Sequence, residues 1–246
     1  MPSQSAALRQ PAAHPADAFA AAWGEATTLD LIAAAADTFA GRIALVSSFG
    51  TESAVLLDLV AQVNPALPVV FLDTGKLFGE TLRYRDRLVS RLGLTDVRVI
   101  RPDPAAVAAA DPDGILWTQA PDRCCAVRKV EPLARALAPF DAWISGRKRF
   151  QAATRAALPR VEADGARVKI NPLADWSRDA LDRAFTDRDL PRHPLEEDGF
   201  LSIGCMPCTD RVAPGEDVRA GRWRHAADKT ECGIHLPFSA AAPRSV

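Results

Sequence analysis

Residues 43–53, Ile-Ala-Leu-Val-Ser-Ser-Phe-Gly-Thr-Glu-Ser, decide the fold. The run 43–46 is apolar and short, as in a strand buried on both faces. A polar loop, Ser47 to Ser53, follows it. A helix is then expected from about Ser53 to Val63, stopped by Asn64-Pro65. The unit recurs in both directions. Upstream, Thr28 can cap a helix whose apolar period runs through LDLIAAAADTFA to Gly41. Downstream, 68–72 reads as a strand, 79–92 as an arginine-studded helix closed by Gly93, and 97–100 as a third strand. A helical stretch at 124–137 precedes a fourth strand at 142–145. Strands alternating with helices predict an α/β protein with a doubly wound, mostly parallel sheet and helices on both faces. Residues 161–170, with Asp164-Gly165 between two short runs, read as a hairpin at the sheet edge.

The chain has 246 residues, 48% hydrophobic and 25% charged, enough for one large domain with a substantial core. Residues 1–25 read as a flexible N-terminal segment and 26–212 as the main domain. Residues 213–246 are polar, carry Pro214-Gly215 and Gly221, and read as a mobile tail able to close over a site. A net charge of −1 argues against coating nucleic acid or an anionic membrane. No apolar run approaches the ~18 residues of a membrane span. The N-terminus lacks the basic-then-apolar layout of a secretory signal, so a cytoplasmic location is expected. No internal repeat is present.

The loop 47–53 sets hydroxyls and backbone N–H groups at a helix N-terminus, where the dipole favours a phosphate; an ordinary capped turn would look the same. It is neither a Gly-x-x-x-x-Gly-Lys-Ser/Thr loop nor a Gly-x-Gly-x-x-Gly turn. Asp73-Thr74-Gly75-Lys76 ends the neighbouring strand, where doubly wound sheets place ligands, or is a plain turn. Gly146 followed by Arg147, Lys148 and Arg149 suits an approaching anion or a solvated charge run.

Five cysteines in a cytosolic chain are not read as a disulfide framework. Cys124 and Cys125 are adjacent, Cys205 and Cys208 form a C-M-P-C pair, and Cys232 stands apart. Four thiolates suggest zinc or an iron–sulfur cluster. Adjacent cysteines project in different directions, which is awkward around one zinc ion and easier at separate corners of a [4Fe–4S] cubane; buried structural thiols are the bland alternative. Arg128 and Lys129 lie beside the adjacent pair, where cations offset an anionic cluster. Cys232, on a polar Gly-flanked stretch, reads as a nucleophile that His235 would activate if the segment were helical.

SSFGTES, LDTGKLFGET, CCAVRKVEPL, ISGRKR, GCMPCT and ECGIH together resemble the thioredoxin-dependent assimilatory sulfonucleotide reductases, the APS/PAPS reductase family, over about 43–235. The CC and CxxC blocks resemble the branch using adenosine 5′-phosphosulfate (APS). The resemblance implies an adenine nucleotide alpha-hydrolase, or ATP-pyrophosphatase-like, fold. It implies that Ser47, Ser48 and Gly50 cradle the nucleotide phosphate and that Lys76 and Gly146 border the nucleotide. Arg155, Arg219 and Arg222 would hold phosphate or sulfate. Cys124, Cys125, Cys205 and Cys208 would bind one [4Fe–4S] cluster per chain. Lys129 would stand between cluster and substrate, with Cys232 as nucleophile and His235 as the tail histidine. The pyrophosphatase loop reads Ser-Gly-Gly-x-Asp-Ser; here one glycine is missing and Glu52 replaces the acid, which disfavours ATP cleavage.

The reaction so implied is reduction of APS to sulfite and AMP through a cysteine S-sulfonate, with thioredoxin or glutaredoxin as reductant. The enzyme would serve assimilatory sulfate reduction, with a homo-oligomer as one expected form, without nucleic acid or membrane. The alternatives are the 3′-phosphorylated substrate PAPS, an iron–sulfur tRNA-thiolating enzyme of the same fold, and a zinc-binding interaction protein. The second lacks its loop and a basic surface; the third leaves Cys232 unexplained.

Overall fold

The computed structural model describes residues 13–226 and 228–235. Residues 1–12 of the expected flexible segment and 236–246 of the expected tail lie outside the described residues. Six strands form one sheet: β1 (Ile43–Ser47), β2 (Val69–Leu72), β3 (Val97–Ile100), β4 (Ala142–Ser145), β5 (Val161–Asp164) and β6 (Arg167–Ile170). Their spatial order is β3-β2-β1-β4-β6-β5. All pairs are parallel except β5 with β6, the expected edge hairpin, which turns at Gly165.

The sheet separates two cores, because successive side chains leave a strand on opposite faces. Ile43, Leu45, Val69, Phe71 and Ile144 face one side, with α2 (Thr28–Thr38), α3 (Ser53–Val63) and α4 (Gly79–Leu92). Ala44, Val70 and Trp143 face the other, against Leu133 and Leu137 of a later helix. Both faces are covered, so the strands are continuously apolar. The expected doubly wound, mostly parallel sheet is what the chain forms.

Differences are local. Thr27, not Thr28, caps α2, its Oγ1 accepting from Asp30 N at 3.2 Å. Thr28 is taken up in the helix, where its hydroxyl accepts from Trp176 Nε1 at 2.9 Å. The helix ends at Thr38, short of Gly41. Within the segment read as flexible, Pro15–Trp23 forms a helix, α1, that buries Ala16 and Phe19 and packs on the β5–β6 hairpin. An unexpected helix, Arg178–Asp187, is capped by Ser177 and buries Leu181, Ala184 and Phe185. Among the described residues no helix is long and apolar enough to cross a membrane.

Chain direction across the sheet reverses at β1: β2 and β3 lie on one side of it, β4 and the hairpin on the other. A crevice opens at such a switch point beyond the strands' carboxyl ends. Ser47, ending β1, and Ser145, ending β4, both border a cavity there of about 230 Å³.

Candidate active site

The β1–α3 loop forms one wall. Ser48, Gly50, Thr51, Glu52 and Ser53 line the cavity, which sits over the N-terminus of the eleven-residue α3, where free N–H groups favour an anion. Phe49 holds the loop in place: its ring is fully buried and meets Phe71 edge-on at 5.3 Å. It adopts φ +48°, costly for a bulky residue and tolerated because the surrounding packing dictates it. Ser47 Oγ accepts from Phe49 N at 3.2 Å and so is occupied within the loop, whereas Ser48 is exposed to the cavity.

Six cations and two carboxylates line the cavity: Lys129, Arg147, Lys148, Arg155, Arg219 and Arg222, with Glu52 and Glu231. Most are paired within the protein. Lys148 Nζ lies 2.8 Å from Glu52 Oε2. Burial disfavours the charge on Glu52, yet Lys148 holds its carboxyl below the usual range. Arg147 pairs with Glu162 on β5. Arg155 and Arg219 both reach Glu231. Arg149 turns away, donating to Leu158 O at 2.9 Å. Among the described residues neither Lys129 nor Arg222 has a carboxylate partner, and Arg222 Nε is buried without a hydrogen bond. The Arg222 guanidinium lies 4.4 Å from the Trp223 ring centroid and flat against Gly204 of the GCMPC stretch, where any Cβ would overlap it.

A second, much smaller cavity adjoins the first. Cys124, Cys125, Cys205 and Cys208 all line it, and Lys129 and Cys205 border both cavities. The adjacent cysteines end the helix Pro121–Cys125, which continues through a π-helical turn, Ala126–Val130, into the helix Glu131–Leu137. Glu131 N reaches Ala126 O, five residues back, and Pro132, lacking an N–H, cannot restore the α-helical bond to Arg128. This register presents Lys129 to both cavities. Arg128 is instead buried as a structural clamp, with Nη2 2.7 Å from Asp111 Oδ2 and Nη1 3.0 Å from Thr74 O.

Burial raises the Cys124 and Cys208 thiols and pushes Cys125 up to about 11. Burial also works against the Cys205 thiolate, but Lys129, the Thr74 hydroxyl and Arg222 together take its pKa below the ordinary value. The same coupling outweighs burial at Lys129: Cys205, Cys232 and Cys125 raise its pKa. No group of three or more His, Cys, Asp or Glu among the described residues is set to hold a single metal ion. The four thiols ring a cavity instead.

The polar stretch after Cys208 folds back over this pair of cavities. Trp223 N donates to Cys208 O at 3.1 Å, and the Trp223 ring is buried against Cys205 and Cys208. Cys232 packs on the same group and faces the larger cavity. Residues 233–235 form a turn, not the helix considered from sequence. The His235 ring stacks on Trp143 at 5.9 Å, with Nδ1 buried and unpartnered. Burial, with Lys169, Arg147, Arg155 and Arg219 nearby, holds its pKa far below the usual value, so the imidazole is neutral.

Of the residues singled out from sequence, the structure gathers Ser47, Ser48, Gly50, Gly146, Arg155, Arg219, Arg222, Lys129, Cys232 and His235 around one cavity. Lys76 is not among its lining: Nζ donates to Gly114 O at 2.6 Å and the side chain borders the cysteine cavity. Glu231 and Gln151 were missed, although Glu231 sits inside the ECGIH stretch. Only the fold shows that Gln151 links Arg155 (2.6 Å) to Glu52 (2.6 Å).

A cation-lined crevice at the switch point of a doubly wound sheet, with the Cys232 thiol among its lining, is the kind of site in which this class of α/β protein takes up an anionic small molecule. Residues 42–211 match the phosphoadenosine phosphosulfate reductase domain. The chain belongs to this family. It is 56% identical to adenosine 5′-phosphosulfate reductase of Mesorhizobium japonicum, covering 88% of this chain and 85% of the relative. It is 43% identical to phosphoadenosine 5′-phosphosulfate reductase of Gloeobacter violaceus, covering 87% and 90%. The crystal structure of phosphoadenylyl-sulfate reductase from Candida auris, a phosphate complex, shares the fold: the TM-score is 0.67 at 24% identity, covering 80% of this chain and 96% of that one.

Proposed function

We propose that the protein reduces adenosine 5′-phosphosulfate to sulfite and AMP, taking two electrons from a thioredoxin-type dithiol in assimilatory sulfate reduction. One observation carries the reading: Cys232 lines the cation-lined cavity and not the smaller one, while the four other cysteines are buried and all line the smaller cavity, Cys205 at the border of the two. The nucleotide phosphate would lie against Ser48, Gly50 and the α3 N-terminus, and the sulfate near Arg222 and Lys129, the two lining cations without carboxylate partners among the described residues. The Cys232 thiolate attacks the sulfate sulfur; the S–O bond breaks, AMP leaves with the bond pair, and Cys232 carries an S–SO₃⁻ group. A dithiol then attacks the Cys232 sulfur and expels sulfite as a dianion. Its second thiol resolves the mixed disulfide, so the dithiol ends oxidised and Cys232 returns as a thiol. Lys129 and Arg222 offset the charge that builds as a thiolate nears an anionic substrate. Neutral His235 can donate one N–H hydrogen bond to an oxyanion without adding charge.

Cys124, Cys125, Cys205 and Cys208 fit a [4Fe–4S] cluster better than one zinc ion. Their thiols surround a common space without converging on one ion, and Lys129 with Thr74 favours the thiolate form at Cys205. Such a cluster would supply a fixed anionic centre beside Lys129. The test is anaerobic purification, iron analysis and sulfite assay. We expect iron, and sulfite from APS but not from PAPS. Zinc without iron would overturn the cluster, and preference for PAPS would move the protein to the substrate named for its Gloeobacter relative.

A further inference from the structure

The residue before the reacting cysteine is held by two arginines of the anion cavity. Glu231 Oε1 accepts from Arg155 Nε at 2.8 Å and lies 2.6 Å from Arg155 Nη2; Oε2 lies 3.5 Å from Arg219 Nη2. Arg219 Nη2 also donates to Thr230 O at 2.8 Å. These side chains are largely buried, with 9% of Arg155, 17% of Arg219 and 26% of Glu231 exposed. The Arg155 Nη1 donor goes to Gln151 Oε1, and Gln151 Nε2 donates to Glu52 of the β1–α3 loop. The stretch carrying the thiol is thus joined by a continuous polar chain, Glu231–Arg155–Gln151–Glu52, to the loop at the α3 N-terminus.

We propose that Glu231 is the positioning residue that docks Cys232: Arg155 and Arg219 bind this internal carboxylate, while Arg222 and Lys129 are left for the incoming oxyanion. The inference deepens the function proposed above and rests on Cys232 being the reacting thiol. Two features favour docking over incidental pairing. Arg155 commits Nε and Nη2 to Glu231 and Nη1 to Gln151, which leaves it little capacity for a substrate. Next to Glu231, Cys232 is bound to follow wherever that carboxylate is held.

The test is the rate at which iodoacetamide alkylates Cys232, read by mass spectrometry of the peptide that contains it, in wild-type, Glu231→Gln and Glu231→Asp protein. Glu231→Gln should raise that rate about tenfold, the factor lost with one charge-assisted hydrogen bond. Glu231→Asp, which keeps the charge, should fall between. In Glu231→Gln, kcat with APS should drop while AMP affinity stays at the wild-type value. Equal alkylation rates in all three proteins would overturn the proposal, as would a Glu231→Gln protein whose only change is weaker AMP binding. If wild type fails to reduce APS, the function proposed above fails, yet the alkylation rates still decide the docking.

Discussion

Thr74 Oγ1 lies 3.2 Å from Cys205 Sγ, joining the end of β2 to the C-M-P-C loop. The Lys129 ammonium reaches the same sulfur from the π-helical turn. One thiol therefore stands where the cation-lined cavity and the cysteine cavity meet, stabilised by a hydroxyl from one element and a cation from another.

That arrangement makes Lys129 the electrostatic link between the two cavities. Lys129→Ala should cut sulfonucleotide reduction by roughly tens-fold, as expected when a cation is lost from a water-poor site facing developing negative charge. The comparison is turnover against Arg91→Ala, a change at an exposed pair with Asp189. Equal turnover in the two variants would remove Lys129 from the mechanism.

The β1–α3 unit was legible because each of its signals is local: an apolar run, a hydroxyl loop, and a helix whose limits, Ser53 to Val63, are those read from sequence. The cysteine pairs were legible from spacing. Other features depend on partners far away in sequence. Lys76 looks from sequence like a cation beside the nucleotide, but Gly114 draws its ammonium toward the cysteines. Arg155 and Arg222 look alike in sequence and differ in the fold, because Glu231 neutralises the first and leaves the second bare. The π-helical turn has a sequence cause, Pro132, but proline before a helix also reads as an ordinary start.

The two loop serines should behave differently. Ser48→Ala should weaken AMP binding about tenfold, the scale of a hydrogen bond to a charged group, with little change in stability. Ser47→Ala removes the acceptor for Phe49 N and should cost about 1 kcal/mol of folding free energy. Calorimetric titration with AMP and urea unfolding separate the two effects; the reverse pattern would mean that Ser47 is the phosphate ligand.

Acid should destabilise the fold through His193. Its ring is fully buried, with Nδ1 accepting from Leu195 N at 3.2 Å and Nε2 3.1 Å from Thr81 Oγ1. Burial lowers its pKa from 6.5 to about 4, against a small opposing pull from Glu80. Above pH 6.5 neither folded nor unfolded chain is protonated there, and stability is unaffected. Between 6.5 and about 4 the unfolded chain takes a proton that the folded one refuses, so stability falls with pH, by something of the order of 2–3 kcal/mol. Urea midpoints measured from pH 7 to pH 4 should show the decline, and His193→Gln should flatten it. An identical slope in the variant would assign the acid sensitivity elsewhere.

Cys232 carries the most direct prediction. Two cysteines border the larger cavity: Cys205 also lines the smaller one and is buried and hydrogen-bonded to Thr74, whereas Cys232 lines the larger alone. Serine at position 232 would present a hydroxyl that stays protonated near neutral pH and attacks sulfur poorly, while occupying nearly the same volume. Cys232→Ser should therefore keep the iron content and AMP affinity of wild type, form no covalent adduct, and release no sulfite. Wild-type protein given APS without a dithiol should gain the mass of one SO₃ on the peptide spanning Cys232 and lose it when dithiol is added. The same experiment with Arg222→Ala should form the adduct more slowly, because that variant keeps the thiol and loses a cation facing the sulfate. An adduct on Cys124, Cys125, Cys205 or Cys208, or turnover by Cys232→Ser, would reverse the assignment of nucleophile and ligands.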